Sequence, residues 1–140
     1  MNGTKFLTGT LIGGIAFFFL GYLIYGLALG GFFREHSSAA PGAMKTMSEI
    51  IWWALILGNL ASGALITWTF LKLGTVTSFS TGFRTAAVIG LFVALSLDLI
   101  HYATENSLDL TSMFVDVLVG TLMYAIAGGL IAALLGRGKK

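Results

Sequence analysis

The chain predicts an all-α membrane protein, a bundle of four transmembrane helices forming a single domain over residues 1–140. Three observations predict it. First, 56% of the residues are hydrophobic and only 10% are charged, whereas a soluble domain carries about 25% charged residues. Second, four apolar runs interrupted by few charges cover about 6–33, 50–71, 83–102 and 110–135. Each reaches the roughly 20 residues that a helix needs to cross about 30 Å of hydrocarbon. Third, the short alternating segments of a membrane β-barrel are missing. Inside lipid every backbone polar group needs a partner within the protein, and helices supply it.

The first run, Phe6 to Phe33, contains no charge. Lys5 precedes it as in a signal peptide, but the run is too long and no small-residue cleavage site closes it, so an uncleaved first span is expected. The longest connection follows, with Ser37, Ser38, Pro41 and Gly42 as breakers. Run two, Ile50 to Leu71, carries Asn59 near its middle. A short Gly, Ser and Thr-rich connection, Lys72 to Gly82, leads to the third run, Phe83 to Tyr102. Thr104 to Asp109 then makes a tight hairpin into the fourth, Leu110 to Leu135, with Ser107 or Asp109 as its expected N-cap. Aromatic residues near the span ends, Trp52, Trp53 and Tyr102 among them, fit interfacial belts.

Basic residues set the expected orientation. Lys5, Lys72, Arg84, Arg137, Lys139 and Lys140 fall on one side of the four-span arrangement, and Arg34 and Lys45 on the other. Positive charge favours the cytoplasm, so both termini are expected there, in a bacterial inner membrane. The acids Glu35, Glu49, Asp98, Glu105, Asp109 and Asp116 then gather toward the outer face. That gathering follows either from the charge rule alone or from an outer mouth that concentrates cations.

Most of the 19 glycines lie inside the runs. Gly58 in the second, Gly90 in the third, and Gly120 and Gly128 in the fourth sit on rows of small residues at four-residue steps. Such rows let helix backbones approach closely in lipid, within one chain or between chains of a homo-oligomer or larger membrane complex. A faint repeat relates Tyr22-Leu23-Ile24-Tyr25 to Asp98-Leu99-Ile100-His101, and Leu57-Gly58 to Val119-Gly120. It suggests two helical hairpins related as parallel copies.

The polar residues of the spans are the candidate site. Asp98, His101, Tyr102 and Glu105 follow the i, i+3, i+4, i+7 spacing of one helix face. Asp98 continues the small-residue row of the third run and Asp116 begins that of the fourth. The short hairpin makes these runs antiparallel neighbours, with the two acids at similar depth. Intramembrane acids are costly, and two side by side favour a shared proton or a cation between them. Asp98, His101, Asp116, Glu105 and Arg34 therefore form a candidate proton, cation or ion-pair site, with Arg34 as the nearest counter-charge. A structural lock, a transport site and a partner contact all remain open for Asp98. Tyr22 and Tyr25 offer hydroxyls to the cluster, and Asn59 is expected to hydrogen-bond between helices.

The chain has no Cys, which excludes disulfides, thiolate metal sites and thiol nucleophiles. A net charge of +2 without a basic patch gives no footprint for nucleic acid. No hydrolase, phosphate-loop or dinucleotide motif appears, so no enzymatic activity, cofactor or metal is expected. The first run reads Phe19-Leu20-Gly21-Tyr22-Leu23-Ile24-Tyr25-Gly26, and the fourth opens Leu110-Thr111-Ser112-Met113-Phe114-Val115-Asp116 before a Gly/Ala-rich end. This pattern resembles a family of small four-helix bacterial integral membrane proteins that forms an uncharacterised domain of unknown function. The resemblance implies a four-helix membrane fold and, bringing no established activity, carries over no catalytic residue. The expected function is a non-catalytic accessory or scaffold subunit that packs through its Gly/Ala-rich faces in the lipid bilayer. The alternative is a small proton- or cation-conducting channel or carrier with an acidic outer mouth.

Overall fold

The computed structural model describes residues 2–36, 45, 47–107 and 109–137. The breakers Ser37, Ser38, Pro41 and Gly42 and the tail residues Lys139 and Lys140 lie outside them. The described chain is helical, with no strand, and four of its helical stretches are long and apolar enough to span a membrane.

Each helix begins and ends where local chemistry requires. Helix α1 is Gly3–Gly21, and the Asn2 side chain caps it by accepting the Thr4 and Lys5 amides at 3.1 and 3.3 Å. It runs on without a break as a π-helix, Tyr22–Ala28. There the Leu29 amide donates to the Ile24 carbonyl at 2.7 Å, five residues back rather than four. A short helix, α2, follows at Gly30–His36. Gly30 is what lets α2 start directly against the wide turn: a Cβ at that position would stand 2.8 Å from the Tyr25 carbonyl oxygen. A 3-10 turn at Met47–Glu49 leads into α3, Trp52–Leu73, which ends at Gly74 with φ 69°. Only glycine adopts that left-handed conformation without strain, and it stops the helix there. Ser78 opens α4, Phe79–Thr104, in a reciprocal capping box with Thr81. Asp109 opens α5, Leu110–Gly136, by accepting the Ser112 amide at 2.7 Å.

The spans alternate in direction, so both chain ends and the α3–α4 turn lie at one end of the molecule, called here the termini end. They pack as two antiparallel hairpins, α1 with α3 and α4 with α5, joined through α1 and α5. In cross-section the order is α3, α1, α5, α4, with α3 also touching α5. Close backbone approach holds each hairpin. In the first, a Cβ on Gly63 would lie 2.6 Å from the Thr10 carbonyl oxygen and 2.7 Å from the Gly14 amide. In the second, Gly82 faces the Gly128 carbonyl, Gly128 faces Ala86, and Gly90 faces the base of the Tyr124 side chain. Gly120 is looser, with Ala94 at 3.0 Å from its would-be Cβ. A core of Ile66, Phe70, Val76, Ala86, Ile131, Ala132 and Leu135 fills the termini half. Phe17, Met123 and Ala127 close the middle.

Three expectations need correction. Gly58 is not a packing residue: nothing lies within 4 Å of its would-be Cβ, and the whole stretch Trp52–Gly58 of α3 is exposed. Beyond its middle, α3 parts from its neighbours, so a small residue there has no backbone to admit. The first span is not one regular helix to Phe33, because the π-helical segment and the break at Leu29 interrupt it. The parallel repeat does not extend to the way the hairpins dock. Under that repeat α1 matches α4 and α3 matches α5, so the α1–α5 contact requires an equal α3–α4 contact, yet α3 and α4 barely touch.

Candidate functional site

The gap left between α3 and α4 is a groove of about 260 Å³. Asn59 and Ser62 of α3 form one wall, and Val93, Ala94, Leu97 and Asp98 of α4 form the other. Phe17 and Tyr25 from the first span and Asp116, Gly120, Met123 and Tyr124 from α5 complete it. The small residues Ala94 and Gly120 keep α4 and α5 close beneath it, which brings the two acids side by side.

Asp98 is buried, at 7% exposure, and Asp116 is half-buried. Their carboxyl groups come within hydrogen-bonding reach of each other. Tyr25 donates a hydrogen bond from its hydroxyl to Asp116 Oδ1. The π-helical turn sets Tyr25 in that position, and Phe33 of α2 packs on its ring with centroids 5.3 Å apart. Asp98 has no such donor, and its buried Oδ2 is without a hydrogen-bond partner. A buried carboxylate oxygen left bare carries a large desolvation cost. Across the groove, the Asn59 amide nitrogen donates to the Leu55 carbonyl at 2.8 Å, an intrahelical bond rather than the expected interhelical one. The Tyr124 hydroxyl reaches Ser62 at 3.4 Å, and its ring meets Phe17 edge-on at 4.8 Å. These contacts floor the groove, and below them lies the buried core of the termini half, with a second groove of about 180 Å³ lined by Thr4, Lys5, Thr8, Leu134 and Leu135 at its end.

The other predicted members lie elsewhere. His101 and Glu105 are exposed near the end of α4 and do not line the groove. One helix face therefore splits: Asp98 turns inward, and His101, Tyr102 and Glu105 beyond it are exposed. His101 lies near Asp98 without hydrogen-bonding to it. Arg34 is exposed on α2, and among the described residues no ion pair neutralises either aspartate. Tyr22 is exposed and contributes no hydroxyl to the pair. No group of three or more His, Cys, Asp or Glu side chains among the described residues is arranged to hold a metal. Outside the spans, the Ser112 backbone amide, with nearby His36 adding to it, holds the Asp109 carboxyl below its usual range.

Sequence reasoning missed the groove itself and its apolar walls, Phe17, Val93, Leu97 and Met123. No local pattern marks them, since in lipid an apolar residue looks the same whether it faces a cavity or a tail. Compared with protein-family models, curated proteins and solved structures, the chain matches none.

Proposed function

We propose that this multi-pass membrane protein binds a proton or a small cation at the Asp98–Asp116 pair and acts as a carrier rather than an open pore. One observation carries the reading: two adjacent carboxyl groups share an intramembrane groove, and among the described residues no ion pair neutralises either. Two bare charges at such proximity repel in a medium that screens them poorly, so a proton or a cation stands between them. The buried core of Ile66, Phe70, Ile131 and Ala132, between this groove and the one at the termini end, argues against a continuous water path and therefore for a site loaded from one side at a time. The basic asymmetry supports cytoplasmic termini in a bacterial inner membrane, with the groove facing outward. The resemblance to the uncharacterised four-helix family fits this architecture and adds no activity.

Reconstitution in liposomes tests it. An imposed proton or sodium gradient should drive uptake that Asp98→Asn and Asp116→Asn each abolish while the protein keeps its unfolding temperature. Uptake unchanged in both variants rejects the carrier reading, and unitary conductance steps in planar bilayers replace the carrier with a channel.

The accessory-subunit reading rests on a different observation, the exposed half of α3 with Trp52, Trp53, Leu55, Ile56 and Leu57. Native mass measurement from the membrane distinguishes it: a stoichiometric partner or a second copy favours a subunit role.

A further inference from the structure

The groove's chemistry narrows the ligand, an inference that rests on the cation-binding reading above. The walls that separate its polar groups are apolar and aromatic: Phe17, Val93, Leu97, Met123 and Tyr124. A metal ion takes about six or more oxygen ligands in a compact shell. Here the two carboxyl groups stand together with the Tyr25 hydroxyl, the Asn59 and Ser62 side chains lie on the opposite wall, and no third His, Cys or acidic side chain among the described residues joins the two aspartates. The volume of about 260 Å³ holds several times the roughly 30 Å³ of a single water. It approaches the size range of small organic ligand sites, which combine apolar walls with a few placed polar groups.

The two acids are unequal. Asp116 already accepts from the Tyr25 hydroxyl. Asp98 is 93% buried as a residue (7% exposed), lines the groove and keeps Oδ2 without a donor. What that oxygen lacks, among the described residues, is an ion-pair partner and a hydrogen to accept. An alkali ion or a quaternary ammonium brings charge without a hydrogen. A protonated amine brings both, and its hydrocarbon part suits the walls, where aromatic rings add attraction for a cation. Because α3 and α4 barely touch, the groove opens sideways between them toward the bilayer, where amphiphilic amines partition.

We propose that the groove between α3 and α4 is a binding site for a protonated lipophilic amine, with Asp98 as the anchoring acceptor and entry from the membrane. Equilibrium dialysis of the purified full chain in neutral maltoside micelles tests this with benzylammonium as the probe. Benzyl alcohol serves as the uncharged comparison and benzyltrimethylammonium as the cation without an N–H. Benzylammonium should bind saturably, one per chain, more tightly than either comparison. Asp98→Asn should weaken it about 10- to 100-fold, the range expected for losing a charge-assisted hydrogen bond. Leu97→Trp, which narrows the groove from an exposed rim position without touching either acid, should also block it; this variant decides the matter if Asp98→Asn fails to fold. Benzylammonium binding that survives both changes overturns the proposal. So does Asp98-dependent binding of sodium, potassium or protons without benzylammonium, and that result leaves the broader cation-binding reading intact. Absence of any Asp98-dependent cation or proton binding overturns both.

Discussion

Gly58 and Gly128 are the same residue type in similar apolar helices, yet one meets nothing and the other meets a wall. A Cβ on Gly128 would overlap Ala86 and stand 3.0 Å from the Gly82 carbonyl oxygen. Gly128→Ala should therefore destabilise the chain by about 1–3 kcal/mol through overpacking. Gly58→Ala should leave it unchanged or stabilise it by about 0.5–1 kcal/mol, because alanine loses less backbone freedom in a helix. Thermal unfolding of the two variants in one detergent checks the contrast, and equal effects would mean that α4 and α5 are not in backbone contact. The four-residue spacing made all the small-residue rows legible. Which row faces a neighbour was not legible, because spacing records periodicity and not the direction in which a helix turns. Asp109 gives a second prediction at this scale. Its folded carboxyl lies below the ordinary carboxylate range because it accepts the Ser112 amide. The stability it contributes is thus fully present above the unfolded value of about 3.9 and is lost as pH falls through the lower folded value. Asp109→Asn keeps a capping oxygen without the charge, so its unfolding temperature should fall less than the wild type's between neutral and strongly acid pH.

At the scale of elements, the four long helices were legible from length and apolarity, and the start of α5 from Asp109, whereas α4 starts at Phe79 on its Ser78 cap, four residues before the apolar run at Phe83. The π-helical turn was not legible. It depends on hydrogen bonds displaced by one residue, and a run such as Tyr22–Ala28 carries the same hydropathy in either helix type. Its effect is to set Tyr25 against Asp116 while α2 folds back to bury Phe33, which is 5% exposed. Removing the residue that the wide turn holds in excess should restore a regular helix and rotate α2 by about 100° relative to Tyr25. Phe33→Ala should cost about 3 kcal/mol in the native chain and little in a chain lacking Leu27. A double-mutant cycle on unfolding free energy measures this coupling, and additive effects would show that the turn does not position Phe33.

For the whole molecule, hydropathy predicted four spans but not their order in cross-section. In water, an apolar stripe points to the core. In lipid, tails and neighbouring helices are equally apolar, so the pattern does not say which faces meet. The pair Asp98 and Asp116 was legible because acids stand out against that background, whereas the groove around them follows from a contact that α3 and α4 do not make. Orientation belongs to this scale as well. Single cysteines at Asn106, in the α4–α5 turn, and at Thr75, in the α3–α4 turn, are both exposed and lie at opposite ends of the molecule. Impermeant maleimide on intact cells should label the first and not the second, given the basic excess at the termini end. The reverse pattern would turn the groove toward the cytoplasm.

Half of the most apolar stretch of α5 is buried within the fold, against 17%, 22% and 17% for the other three spans. The helix on which the two hairpins meet is also the one that leaves the ribosome after the rest. During synthesis α1 and α3 can pair early through their own glycines, but α4 then waits in the bilayer with almost no contact to either. Asp98 spends that interval as an intramembrane acid whose neighbouring helix is still missing. Arrival of α5 covers it, supplies Asp116 and joins the halves in one event. A chain interrupted before α5 presents Asp98 as an uncovered acid in lipid, where an intramembrane charge is costly.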